Sequence, residues 1–349
     1  MLQQSLYHTY QRYRTVQTHK ITAMPLVILM PHSACNCRCM MCDIWKGNKN
    51  LQQLSKADIE GLLGTLKKLG TQQVLMSGGE ALLHPGFFDY CALLKKEGIS
   101  ITLLSTGLTT GQYAKQITDH IDRLIISIDG PEQVHDQIRN IPGAFQKISK
   151  GIAAIHSLEP GFPVSARTVI HKHNYKHWPA IIDAAIELGL DQISFLPADV
   201  SSHAFNRQTG WDLEKQSGIQ LTTAELEELG NIITYIIDGY TPLFNNRFIA
   251  ESPEKLKKIK TYYAALLGKA DFPFKKCNAP WVSVVVEADG TVRPCFFHQP
   301  IGNIRESALE EIINSKHALQ FRKGLDMEND PTCAKCVCYL NLSPAVSIR

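Results

Sequence analysis

The stretch ACNCRCMMCDIW, Ala34 to Trp45, sets four cysteines within eight positions, directly after an apolar run, Leu26 to Met30, that reads as a buried strand. Three of them, Cys35, Cys39 and Cys42, have the spacing C-x3-C-x2-C. Soft thiolates on a loop that can wrap around a centre suit a metal cluster, and their spacing says more than their number. A closed zinc site asks for four protein ligands, and the nearest fourth donor, Cys37, completes an awkward C-x-C-x-C-x2-C set. Three cysteines instead leave one iron of a cubane open to a small molecule, and Cys37 then reads as a bystander.

Working outward, apolar or β-branched runs recur at LVILM (26), QVLMS (73), ITLLS (101), RLIISID (123), VSARTVI (164) and QISFLP (192), each predicting a strand. Between them lie helix-patterned segments: Ser55 to Leu69, opened by the capping pair Ser55 and Asp58; Gly86 to Glu97, closed by Gly98; Phe145 to Leu158; and Trp178 to Leu188, closed by Gly189. Regular strand–helix alternation implies an α/β fold with a parallel sheet and outer helices, whose chemistry collects at the carboxyl ends of the strands. After Pro197 the pattern changes to a polar linker and two amphipathic segments, Thr222 to Ile237 and Pro253 to Leu267. From Cys277 a hairpin follows, WVSVVVE, the turn Asp289-Gly290, then TVRPCFF, before a terminal CAKCVC.

The expected division is therefore an N-terminal extension (1–23), a barrel (24–200), a helical linker region (201–276) and a small cysteine-rich α+β domain (277–349). A chain of 349 residues with 44% hydrophobic content can fill such a core. The net charge of +3, from 36 basic and 33 acidic residues without a long single-sign run, carries no nucleic-acid footprint, and Lys255 to Lys260 reads as a solvated helix face. No run approaches the roughly 18 apolar residues of a membrane span, and the first residues lack an apolar signal core, so the expected location is the cytoplasm. In a reducing compartment, ten cysteines argue for metal ligation or catalysis, Cys91 being the isolated exception.

At this point the chain resembles the radical S-adenosylmethionine (SAM) superfamily, which carries a C-x3-C-x2-C loop after the first strand of a partial (β/α)6, TIM-like barrel; the resemblance runs from Met24 to Pro197. LMSGGEALLHPGF after the second strand resembles the family's GGE motif, which implies that Gly78, Gly79 and Glu80 receive the methionyl amine of SAM. Glycines admit a close backbone approach, and a carboxylate pairs with an ammonium. IISIDGPEQVHDQIRNIPGAF resembles the S-x-D-G-x4-H-D-x2-R stretch of the SPASM and twitch branch. That likeness implies Ser127 and Asp129 beside the ribose or carboxylate of SAM, Arg167 paired with its carboxylate, Leu196 against adenine, and Ser105 and Thr106 as further cofactor contacts. The chain departs from the family pattern at Met41, where an aromatic is usual, at Ser105-Thr106-Gly107 in place of Thr-Asn-Gly, and at Ala81 in place of proline.

Cys277, seventeen residues, Cys295 inside G-x4-C, and the distant C-x2-C of Cys333 and Cys336 resemble a twitch domain, a shortened SPASM domain, which implies one auxiliary [4Fe–4S] cluster on those four cysteines. Zinc on the same thiolates is the alternative, and Cys338 is a further candidate in place of Cys336 or Cys333. His203 and His298 read as solvated loop histidines unless a positioned partner exists.

The resemblance implies an enzyme that cleaves SAM reductively at its first [4Fe–4S] cluster and abstracts hydrogen from a substrate C–H bond, with flavodoxin or ferredoxin as electron donor and neither nucleic acid nor membrane as partner. Oxidation follows if the auxiliary cluster takes the second electron, epimerisation if a spare thiol, Cys37 or Cys338, returns a hydrogen atom. With only 23 residues before the barrel, too few for a recognition domain, the expected substrate is a small metabolite of sugar or aminocyclitol type. Peptide modification or protein maturation is the alternative, and a non-catalytic iron–sulfur or zinc protein the reading outside enzymes.

Overall fold

All six apolar runs are strands, because each is short, β-branched or aliphatic, and closed by a turn: β1 (Leu26–Leu29), β2 (Gln73–Met76), β3 (Ser100–Ser105), β4 (Arg123–Ser127), β5 (Val164–Ile170) and β6 (Gln192–Pro197). The computed structural model describes residues 2–207 and 210–345. The six strands lie in sequence order and pair in parallel, the arrangement of a partial barrel. Along β5, Val164, Ala166, Thr168 and Ile170 are buried while Ser165, Arg167 and Val169 are only half-buried. This period of two turns one face of the sheet onto helices and the other into the barrel interior.

The chain opens with α1 (Leu2–Thr18), and the crossovers carry α2 (Lys56–Lys68), α3 (Phe87–Lys96), α4 (Ala114–His120), α5 (Glu132–Arg139), α6 (Ala144–Leu158) and α7 (Trp178–Glu187). Ser55 and Asp58 form the expected reciprocal capping box on α2. Helix α5 was not anticipated: in the polar sequence EQVHDQIR the apolar face is only the i,i+4 pair Val134 and Ile138, and it forms because Ile138 and Arg139 are buried against the cysteine loop.

Beyond β6 come α8 (Leu213–Ile219), α9 (Thr223–Gly239), α10 (Thr241–Asn245) and α11 (Pro253–Leu266). Residues 248–251 cover the edge of β6: Ile193 N donates to Phe248 O (2.7 Å), Ala250 N to Ile193 O (2.9 Å) and Phe195 N to the Glu251 carboxylate (2.9 Å). At the opposite edge β7 (Ser283–Val286) pairs in parallel with β1, Leu26 opposite Ser283 through Leu29 opposite Val286, before β8 (Thr291–Arg293) and β9 (Gly302–Asn303) continue antiparallel. Strands β7 to β9, which follow residue 277, thus join the same sheet as β1 to β6. The Asp289-Gly290 turn is present with Gly290 at φ +86°, but PCFF lies outside the strand.

Candidate active site and cysteine clusters

The cysteine loop leaves β1 and is held from three sides. Arg38 N and Met40 N donate to the carbonyls of Arg139 and Ile138 at the end of α5 (3.1 and 3.2 Å), Asn48 exchanges two hydrogen bonds with the Cys35 backbone, and Glu80 N donates to Ala34 O (2.8 Å). The thiols of Cys35, Cys37 and Cys39 form one hydrogen-bonded group: Cys37 stays a neutral donor, and by donating it lowers Cys35 and brings Cys39 to about 6, with Arg139 assisting against burial. Burial pushes Cys42 up to about 12. Cys37 itself is buried among Met41, Ile138, Val200 and Trp211. Three converging thiols and a wrapped backbone fit a cubane with one open iron.

Gly78 and Gly79 lie directly over this loop. Gly78 has φ +110°, and a Cβ on Gly79 would fall 2.1 Å from Ala34 O, so this close passage of backbone over backbone requires glycine. Glu80 departs from the expectation of a carboxylate open to an amine. It is fully buried, and its oxygens accept from Ser105 Oγ (3.0 and 3.1 Å), Thr106 N (2.7 Å), Thr106 Oγ1 (2.6 Å) and Leu82 N (3.2 Å). Burial pushes its carboxyl up, opposed by these donors. Ser105 and Thr106, expected as cofactor contacts, are committed to Glu80, so the three residues form a brace that fixes the turn after β2 against the end of β3.

Ser127, at the end of β4, and Arg167, midway along β5, are register partners and share the inner face, so the structure brings them together. Arg167 Nε donates to Ser194 Oγ (3.3 Å). Asp129 is not with them. It is fully buried and ion-paired to Arg139 (2.5 Å), whose Nη1 donates to Cys39 Sγ (3.5 Å). Burial pushes the Asp129 carboxyl up and Arg139 opposes it, while Asp129, Cys39 and Cys37 hold the guanidinium protonated against its own burial. Asp129 thus reaches the site through Arg139. The arginine stood in the quoted S-x-D-G-x4-H-D-x2-R stretch without a role, and only the fold of α5 reveals its target.

The segment after β6 clasps the loop from above. Buried Arg207 donates to Asp199 and to Met41 O (2.7 Å) and stacks on Trp211, 3.8 Å from the ring centroid, while Trp211 Nε1 and Lys215 hold Asp43. Phe205 reaches across to Phe296 and Phe297 of the C-terminal region. Beneath this roof lies a cavity of about 1090 Å³ running from Met30, Gly78 and Gly79 to Arg293, Lys335 and Cys336. His203 lines it with a buried, unpartnered Nε2.

Cys277, Cys295, Cys333, Cys336 and Cys338 all line a second, small cavity, with burial pushing Cys295 to about 11 and Cys333 to about 12. The structure gathers all five, leaving four ligands and one spare; Cys338 is the exposed one. His298, expected in solvent, is buried edge-on to Phe321, its Nε2 3.3 Å from Cys333 Sγ. Cys91 is sealed in α3. Arg167 and Leu196 line a third cavity, and Cys336 borders all three.

Comparison with known proteins agrees with this geometry. A family model described as the Radical SAM superfamily matches residues 29–185, and the SPASM model, described as an iron-sulfur cluster-binding domain, matches residues 277–337, a span that includes Cys336 and ends before Cys338. The chain is 25% identical over 335 residues to Fe-coproporphyrin III synthase of Methanosarcina barkeri, covering 89% of this chain and 80% of that one. It is 24% identical over 284 residues to PqqA peptide cyclase of Streptomyces rochei, covering 79% and 71%. The crystal structure of Streptococcus suis SuiB bound to precursor peptide SuiA has a similar fold, with a TM-score of 0.66 at 14% identity over 93% of this chain and 73% of that one.

Proposed function

The chain belongs to the radical SAM superfamily and carries a C-terminal SPASM-type iron–sulfur domain, and from that premise we propose that it modifies a peptide held in the cavity between Gly78-Gly79 and Cys336. It is an enzyme whose cofactors are SAM, a SAM-binding [4Fe–4S] cluster and auxiliary iron–sulfur chemistry, and among the described residues no helix is long and apolar enough to cross a membrane. With its groups bound, the site supplies one electron to SAM, a 5′-deoxyadenosyl radical that takes a hydrogen atom from the substrate, and an acceptor for the substrate's second electron. The chain's own residues do the rest. Cys35, Cys39 and Cys42 hold the first cluster; the Gly78-Gly79 backbone, braced by Glu80, receives SAM; Ser127 orients it; Arg139 steadies the Cys39 thiolate. Cys277, Cys295, Cys333 and Cys336 hold the second cluster. The Arg207 roof excludes water from the space between. A small acidic electron carrier such as flavodoxin or ferredoxin supplies the reducing electron.

The observation that carries the peptide reading is the position of the cavity. Its volume of about 1090 Å³ includes the space SAM takes at Gly78-Gly79, and beyond that end it continues to Arg293, Lys335 and Cys336, where an extended chain can lie beside the second cysteine group. The relatives also favour it over the sugar-type substrate: PqqA peptide cyclase and the SuiA-bound SuiB are named for peptides. Similarity to Fe-coproporphyrin III synthase over most of both chains supports a tetrapyrrole as the second reading. Anaerobically reconstituted protein, incubated with SAM, reductant and either short peptides encoded beside its gene or coproporphyrin III, separates the two. A peptide that raises 5′-deoxyadenosine output and loses two hydrogen atoms by mass spectrometry is the expected result; stimulation by the tetrapyrrole alone overturns it.

A further inference from the structure

A third cavity, of about 100 Å³, opens where the covered edge of β6 meets α11 and the terminal cysteines. Its polar lining includes Arg167, Glu251, Lys255, Lys258, Lys275 and Tyr339, over whose ring the Lys255 ammonium sits at 5.1 Å, with Phe195, Leu196 and Ile259 as apolar walls and Cys336 also on its surface. Four cations therefore face one carboxylate. That carboxylate is already engaged: Glu251 accepts from Phe195 N (2.9 Å) and lies 3.9 Å from Lys255. The cations are only partly engaged. Lys258 donates to Phe274 O (3.2 Å) and Lys275 to Ala334 O (2.8 Å), and an ammonium has two further protons to offer in each case.

Tyr262, 1% exposed, forms part of the wall. The apolar walls suit a short aliphatic stem, and the volume admits a carboxylate on such a stem.

We propose that this cavity binds a glutamyl side chain of the peptide substrate, its carboxylate held by Lys255, Lys258 and Lys275, its methylenes between Leu196 and Ile259. The grip anchors the substrate next to Cys336, which also walls the large cavity, and so sets which neighbouring residue reaches the reacting centre. The inference rests on the peptide reading for the identity of the ligand but not for the existence of the carboxylate site.

The test measures binding without turnover. Reconstituted protein is titrated with N-acetyl-glutamic acid α-amide and with N-acetyl-glutamine α-amide, a neutral isostere, by isothermal calorimetry. The acid is expected to bind about ten-fold more tightly than the amide, a margin suited to charge-assisted hydrogen bonds. The double variant Lys255→Ala/Lys258→Ala and the single variant Lys275→Ala are each expected to erase most of that margin while leaving SAM affinity unchanged. Lys255 and Lys258 are exposed, so the melting temperature of the double variant should hold, which separates loss of binding from loss of fold. Equal binding of acid and amide overturns the proposal, as does a pair of variants that weaken SAM and spare the probe, because the cavity then belongs to the cofactor. If the probe binds as expected and no peptide stimulates 5′-deoxyadenosine, the carboxylate site stands and the peptide reading falls.

Discussion

Replacing Gly79 by alanine probes the most confined point of the site. The added Cβ would lie 2.1 Å from Ala34 O and 2.6 Å from Ala34 C, both backbone atoms with no rotamer to yield. A carbon and a carbonyl oxygen rest at about 3.3 Å, so either the cysteine loop or the turn after β2 must retreat by about 1 Å. That retreat opposes the hydrogen bond from Glu80 N to Ala34 O (2.8 Å), which ties the two segments together. Overpacking costs about 1–3 kcal/mol and the lost bond about 1 kcal/mol, together a large share of a typical stability of about 5–15 kcal/mol. A displacement of about 1 Å between cluster and SAM costs about 100-fold in rate. The assays are urea denaturation, iron content after anaerobic reconstitution, and 5′-deoxyadenosine formation. Lower stability with SAM cleavage reduced by about two orders of magnitude is expected. Wild-type values for both would refute the claim that the glycine pair and the cysteine loop are in backbone contact.

Glu80→Ala leaves the donors of Ser105, Thr106 and Leu82 buried without an acceptor, so it should lower stability by about 3–5 kcal/mol in urea melts as well as weaken SAM binding; a pure affinity effect would mean the carboxylate faces the cofactor. Arg139→Gln strands the buried Asp129 carboxylate, at about 3–5 kcal/mol, and should slow cluster assembly at Cys39, whereas a stable variant with unchanged iron uptake would remove Arg139 from the site. Cys295→Ala should lose about four irons and expose the C-terminal region to protease while the first cluster still cleaves SAM. Cys338→Ala should retain full iron and Cys336→Ala should not; the reverse would make Cys336 the spare thiol.

Local chemistry was legible in the residue order. The C-x3-C-x2-C spacing, the GGE after the second strand and the period-two strands each depend on interactions within a few residues, and β1 to β6, the capping box on α2 and the loop beneath Gly79 are all where those patterns place them. The spacing of Cys277, Cys295, Cys333 and Cys336 likewise marks a metal-binding region before any coordinates. Helix α5 escaped because its apolar face is a single pair, Val134 and Ile138, too short to stand out, and His298 because nothing adjacent in sequence announces Cys333 as its neighbour.

What the linear order alone determined, then, is which residues carry donors and acceptors, and which short segments are strand, helix or turn. Only the tertiary structure decided what those groups face. Glu80 turns to Ser105 and Thr106, Asp129 to an arginine that supports Cys39, and β7 adds itself to β1, some 250 residues away, so that the second cysteine group stands across a cavity from the first. The physical reason is that burial penalises any unpaired charge or polar group, and the partner that removes the penalty is whichever one the packing of distant elements brings within about 3 Å.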